Sequence, residues 1–177
     1  MTQPKSKSLQ FYKVHDQAQH PVFSTGQSAC FDIYSCFAVG ENIQYFNPVT
    51  TKQLPRSVST NGGKPCVQIN NMERMLIPTG LIFNIPAGYS VRLHSRSGLA
   101  FKSGIYLTNC EGIIDSDYTD PIFAMMTNIS NVPVKIFSGD RICQGELIRS
   151  ERYTLDESDE VPTQKTNREG GFGSTGV

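Results

Sequence analysis

The sequence predicts an all-β domain with one short helix and a flexible C-terminal tail. Three observations lead there. Helical periodicity is nearly absent along the chain. From Arg74 onward, turn residues interrupt short apolar runs about every 8–12 residues, the spacing of β-sandwiches and barrels. YSVRL and VKIF alternate apolar and polar residues, as half-buried strands do. The 177 residues suit a single domain over 1–177 with a sizeable core.

Composition narrows the function classes. Sixteen Lys and Arg balance sixteen Asp and Glu, so the chain lacks the basic excess of a general nucleic-acid binder and no stable nucleic-acid binding is expected. No apolar run reaches transmembrane length, and MTQPKSKSLQFYKV has no apolar h-region, so an intracellular location without membrane association is expected. The five cysteines (Cys30, Cys36, Cys66, Cys110, Cys143) form no CxxC pair, and His15, His20 and His94 have no ligand-like spacing. Small apolar side chains in a reducing compartment are expected rather than a zinc site or a disulfide framework.

In chain order, ACFDIYS reads as a strand with Asp32 between apolar residues. An inward Asp near a phosphate site could hold a metal-bound water, and a strand-edge Asp is the duller alternative. The polar stretch 41–72, rich in Pro, Gly, Ser and Thr, has little strand pattern and reads as a long insert loop, functional or disordered. MLIPTG, LIFNIPAG and YSVRLHS follow as short strands. SRSGLAFKSG is the one helix, with Ser95 or Ser97 as its cap. Unpaired amides at that helix start, with Arg96, the Ser97 hydroxyl and the open backbone at Gly98, could cradle a phosphate; an ordinary capped turn is the alternative.

NCEGIIDSDY runs through Ile113 and Ile114 into Asp115, which places a carboxylate where strand gives way to turn. It could serve as a general base toward water. Asn109 offers the donor and acceptors needed to read a base edge, and Tyr118 could lie flat against a sugar. A plain Asp-rich turn is the alternative. The strands IFAMMTNISN, VPVKIFSGD and RICQGELI come next. In the last, Gln144 could donate to a phosphate, while Asp140 and Arg141 could form a structural ion pair. SERYTLDESDEVPTQKTN reads as a solvated linker. The glycine-rich terminus REGGFGSTGV, part of a tail over 165–177, places Phe172 where no core can form.

Taken in order, ACFDI, SRSGLA, NCEGIIDSDY, GDRICQ and GGFGSTG resemble the five-motif series of the trimeric dUTP pyrophosphatases, the dUTPases. The resemblance runs from Ala29 to the C-terminus. It implies a jelly-roll-like, distorted β-barrel subunit and a homotrimer whose active sites are shared between chains. It implies hydrolysis of dUTP to dUMP and pyrophosphate, with Mg²⁺ on the triphosphate, an activity of nucleotide metabolism that keeps uracil out of DNA. Asp115 would activate the water that attacks the α-phosphorus. Arg96, Ser97, Gly98 and Gln144 would hold phosphates, and Asp32 would reach the metal through water. Asn109, Ile113 and Ile114 would read uracil in a hairpin pocket, and Tyr118 would exclude a 2′-hydroxyl. The tail would close over a neighbouring subunit's site, with Phe172 stacked on uracil and Arg168, Gly173, Ser174 and Thr175 among the substrate-binding residues.

Some positions depart from that pattern. The family tail usually reads Arg-Gly-x-Gly-Gly-Phe-Gly, whereas Asn167 stands at the arginine position and Arg168 follows it. Ser95 replaces a common proline, and Thr-Asp-Pro follows Tyr118. The related dCTP deaminases need a glutamate where this chain has Met125 beside Met126, and a thioether cannot shuttle protons. An alternative from another class is an interaction module, a dUTPase-like trimer whose long insert binds a partner, with catalysis secondary.

Overall fold

A computed structural model describes residues 8–167, so the expectations for Arg168, Phe172, Gly173, Ser174 and Thr175 lie outside the described residues. Among those described, the chain forms fifteen strands and one helix. The N-terminal strands are β1 (Gln10–Lys13), β2 (Val22–Phe23) and β3 (Phe31–Tyr34). Next come β4 (Asn42–Asn47), β5 (Lys52–Ser57), β6 (Ser59–Asn61), β7 (Lys64–Ile69), β8 (Arg74–Pro78), β9 (Leu81–Asn84) and β10 (Tyr89–Ser95). After α1 (Ser97–Ser103) come β11 (Ile105–Leu107), β12 (Glu111–Ile114), β13 (Phe123–Asn128), β14 (Val134–Phe137) and β15 (Arg141–Arg149).

Two five-stranded antiparallel sheets dominate, ordered β12-β10-β15-β3-β2 and β11-β13-β8-β4-β5. A β1-β9 pair and a β14-β7-β6 sheet complete the set. Strand alternation decides what enters the core. On β8, Met75 and Ile77 are buried, and on β13 so are Ala124 and Met126. They join Ile33, Phe37, Ile69, Leu81, Val91, Ile105 and Ile142 in one hydrophobic cluster. The expected all-β, jelly-roll-like architecture with one short helix is therefore present. Among the described residues the sheets remain open and do not close into a barrel.

The insert differs from the expected loop. Residues 41–72 contain the hairpins β4-β5 and β6-β7. Its turns explain how a polar sequence does this. Asn47 Oδ1 accepts from the amides of Val49 and Thr50 at 2.9 and 3.1 Å, an Asx turn between β4 and β5. Gly62 and Gly63 both take positive φ, 59° and 76°, which the two-residue β6-β7 hairpin requires. Ile43, Val58, Val67 and Ile69 point inward while the polar residues face solvent. Arg56 then ties the hairpin down. It donates to both Glu73 oxygens at 2.5 and 2.9 Å and to Gln68 O at 2.6 Å, and it lies 3.8 Å over the Tyr45 ring.

The helix is where the sequence puts it, but neither serine caps it. Arg96 is the N-cap residue and makes no side-chain cap bond. Ser95 Oγ instead accepts from Leu107 N at 2.9 Å, locking β11 to the end of β10. Gly104 ends the helix in the left-handed region, φ 65°, with its amide on Ala100 O. Residues 151–167 have no strand or helix and are exposed, as expected of a solvated linker. No described helix is long and apolar enough to cross a membrane.

Candidate active site

The Asn109–Cys110 turn joins strands that belong to different sheets. β11 pairs with β13, whereas β12 pairs with β10. Cys110 makes the tight reversal possible with φ 62°, and its amide donates to Leu107 O at 3.1 Å. The two sheets splay apart behind this turn, and a cavity of about 220 Å³ opens between them. Asn109, Gly112, Ile113, Ile114 and Tyr118 line it from the turn and β12. Leu76, Leu93, Leu107, Ile122, Phe123 and Met125 complete the wall.

The four predicted base- and sugar-binding residues Asn109, Ile113, Ile114 and Tyr118 therefore share one cavity. The expected hairpin is a turn between two sheets rather than a paired ladder. A Cβ on Gly112 would lie 3.0 Å from Leu93 Cβ, so the close approach of β12 to β10 depends on glycine. Tyr118 is held at the rim by its hydroxyl, which donates to Pro121 O at 3.1 Å. Asp115 leaves β12 directly after Ile114, and its carbonyl accepts from Tyr118 N at 3.2 Å. Its carboxylate is exposed, and among the described residues no hydrogen bond or ion pair engages it. Leu76 and Met125 were missed as lining residues. Strand period could have found them, because inward Met75 and Ile77, and inward Ala124 and Met126, turn Leu76 and Met125 to the other face.

The second group surrounds Asp32. The side chain is 2% exposed and accepts from four donors: Ser24 Oγ at 3.0 Å, Arg96 Nε at 3.2 Å, Arg141 Nη1 at 3.0 Å and Gln144 Nε2 at 3.1 Å. Sheet register sets this up, since Asp32 lies directly opposite Gln144 on β15. Burial alone would raise the Asp32 pKa. The bonds from Arg141 and Ser24 and the Arg96 guanidinium outweigh it and hold the carboxyl below its ordinary range. Arg96 also donates to Arg141 O at 3.3 Å. The expected Asp140–Arg141 pair is not formed: Arg141 turns to Asp32, and Asp140 accepts from Phe137 N at 2.8 Å.

Arg96, Lys135 and Arg141 line a second, polar cavity of about 420 Å³ with Leu99 and Ser103. Ser97 and Gly98 are exposed at the start of α1, where the first amides of a helix precede any intrahelical bond. The amides of Leu99 and Ala100 turn back onto Arg96 O. Three cations against the one Asp140 carboxylate on the cavity wall, together with a helix start, suit an anion.

Asp32 does not fit a direct metal ligand here. Both of its oxygens are taken, two of its four donors are guanidinium groups, and a divalent cation placed against them would meet like charge. The arrangement makes Asp32 the carboxylate that orients Arg96, Arg141 and Gln144. The two cavities share no lining residue. One chain thus carries a base-sized apolar recess and a separate anion-suited surface.

The family described as dUTPase matches residues 65–176. Over 110 residues the chain is 44% identical to a deoxyuridine 5'-triphosphate nucleotidohydrolase of Finegoldia magna, covering 62% of this chain and 76% of that protein. Over 157 residues it is 36% identical to the protein of the same name from Wolbachia sp. subsp. Brugia malayi, covering 88% and 84%. In fold it is similar to a Staphylococcus bacteriophage 80alpha dUTPase mutant with dUpNHpp, at TM-score 0.73 and 20% identity, covering 97% of this chain and all of the other. The Streptococcus mutans dUTPase gives TM-score 0.62 at 22% identity, covering 82% and 98%.

Proposed function

This chain belongs to the dUTPase family, and on that premise we propose that it hydrolyses dUTP to dUMP and pyrophosphate by a water that Asp115 activates. The cavity carries the reading: it gathers Asn109, Ile113, Ile114 and Tyr118, with Asp115 at the next position along the chain. The apolar wall suits a pyrimidine ring, and the Asn109 amide can both donate to and accept from its polar edge. Tyr118 at the rim would pack against the deoxyribose and leave no room for a 2′-oxygen. The water would lose its proton to the Asp115 carboxylate, which no group among the described residues engages, as it attacks the α-phosphorus.

Arg96, the amides of Ser97 and Gly98, and Gln144 would hold the triphosphate oxygens. Asp32 keeps Arg96 and Gln144 aimed before substrate arrives, which lowers the ordering cost of binding. Mg²⁺ would arrive on the triphosphate and screen its charge; no side chain of this chain is assigned to ligate it. The base cavity and the basic cluster share no residue on one chain. Their separation supports a homotrimer in which one chain's cavity meets a neighbour's cluster, with the tail from Lys165 to Val177 closing over both. The setting is nucleotide metabolism inside the cell.

The test is pyrophosphate release measured separately with dUTP, dCTP, dTTP and UTP. Strong preference for dUTP supports the reading, and comparable turnover of dCTP or UTP overturns it.

A further inference from the structure

We propose that Cys30, His94 and Glu146 form a binding site for a borderline-soft divalent cation of the Zn²⁺ type, separate from any ion carried by the substrate. The three residues are far apart in sequence and meet through sheet register. His94 on β10 faces Gln144 on β15, and Glu146 lies two residues further along the same face. Phe31 faces Gly145, which brings Cys30, at the head of β3, alongside Glu146. The thiol sulfur, an imidazole nitrogen and a carboxylate oxygen lie within 4.8 Å of one another, all on half-buried side chains.

Distances and partners both suit a shared cation. His94 Nε2 is buried and has no hydrogen-bond partner among the described residues, although Glu146 Oε2 is 3.5 Å away. Around a tetrahedral Zn²⁺ with bonds of about 2.0–2.3 Å, neighbouring ligand atoms lie about 3.3–3.7 Å apart. The nitrogen–oxygen separation already meets that, and small side-chain rotations bring in the sulfur. The far side of the ring is also arranged. His94 Nδ1 is 3.8 Å from Glu111 Oε1, and Arg92 Nη1 holds Glu111 Oε2 at 3.2 Å. A carboxylate behind a ligating histidine fixes its ring and tautomer once a small rotation closes that gap to hydrogen-bond distance.

The charges agree. A divalent ion with one thiolate and one carboxylate leaves the site neutral. The donor set of sulfur, imidazole and carboxylate selects Zn²⁺ over Mg²⁺, with a fourth position open to water.

The experiment uses the full, untagged chain carrying Cys110→Ser, which removes the exposed turn thiol. After chelator treatment it is titrated with Co²⁺, and circular dichroism checks each variant for folding. The expected result is a thiolate-to-cobalt charge-transfer band saturating at one ion per chain, abolished by Zn²⁺ and unaffected by excess Mg²⁺. Cys30→Ser removes the band, His94→Ala or Glu146→Gln weakens Co²⁺ affinity at least about tenfold, and Glu111→Gln weakens it about tenfold. Absence of the band in the folded Cys110→Ser protein, its survival in folded Cys30→Ser, or unchanged affinity in both His94→Ala and Glu146→Gln overturns the site. None of these readouts depends on nucleotide hydrolysis.

Discussion

Arg96 Nε donates to Asp32 Oδ1 at 3.2 Å, so the cation at the start of the only described helix is aimed by a carboxylate from β3, 64 residues earlier. A lone arginine at that position would sample many rotamers. Bound to a buried carboxylate that also holds Arg141 and Gln144, it becomes a fixed element of the polar cavity wall.

Asp32→Asn tests that role. The amide keeps the shape but replaces acceptor charge with a donor, and should cost on the order of 2 kcal/mol of stability at neutral pH. The KM for dUTP should rise more than kcat falls, since the phosphate-holding groups lose their aim. The pH dependence has a definite sign. A carboxyl whose pKa is depressed by folding contributes stability above its unfolded pKa of about 4, and loses it as pH falls through the lower folded value. The stability gap between native and variant proteins, measured by urea unfolding, should therefore close below about pH 4. A gap that widens in acid would contradict the assignment.

Asp115→Asn should retain nucleotide binding and lower kcat by about 10²–10⁴, the usual cost of losing a general base. Stopped-flow turnover and nucleotide titration of the same sample separate the two effects. A near-normal kcat would remove Asp115 from the reaction.

Tyr118→Ala should narrow the preference for dUTP over UTP, whereas Tyr118→Phe, which loses only the bond to Pro121 O, should leave it nearly intact. The ratio of kcat/KM values for the two nucleotides is the measurement. Equal ratios in the native and alanine proteins would show that the ring does not select the sugar.

Arg56→Ala should destabilise the fold by about 3 kcal/mol, because Glu73, 4% exposed, loses its guanidinium and keeps a buried charge. Asn70 still donates to Glu73 through its amide and side chain, which places the loss at the lower end of the range for broken buried pairs. Hydrogen exchange should report the loss first in β4 and β5. A uniform change across both five-stranded sheets would mean that the clamp is not local to the insert.

Truncation after Glu169 removes Phe172, Gly173, Ser174 and Thr175 and leaves every described strand. Thermal stability should hold while dUTP turnover falls severely, as for a lid that excludes water and aligns the triphosphate. Co-refolding truncated chains with Asp115→Asn chains should restore part of the activity, since mixed assemblies can place an intact tail over another chain's intact base. Verified mixed assemblies with no activity would place tail and base on the same chain.

The sequence by itself determined the strands from Arg74 onward, the short helix, the solvated linker, and Asn109, Ile113, Ile114 and Tyr118 as the turn-side wall of one cavity. Each is written in local signals: period-2 alternation, breakers at regular intervals, or an ordered set of short motifs. The insert escaped because its strands expose polar residues on one face and its turns depend on a single Asn and a Gly pair, which mimic a loop in composition. The ties around Asp32 escaped for another reason. Its donors come from Ser24, Arg96, Arg141 and Gln144, the last 112 residues away, and no spacing in the chain encodes that meeting. The same holds for Cys30, His94 and Glu146. Alternation tells which face of a strand a side chain takes. Which strands lie side by side, and in what register, is set by how the sheets bury their apolar faces together, and that alone decides which distant polar groups become neighbours.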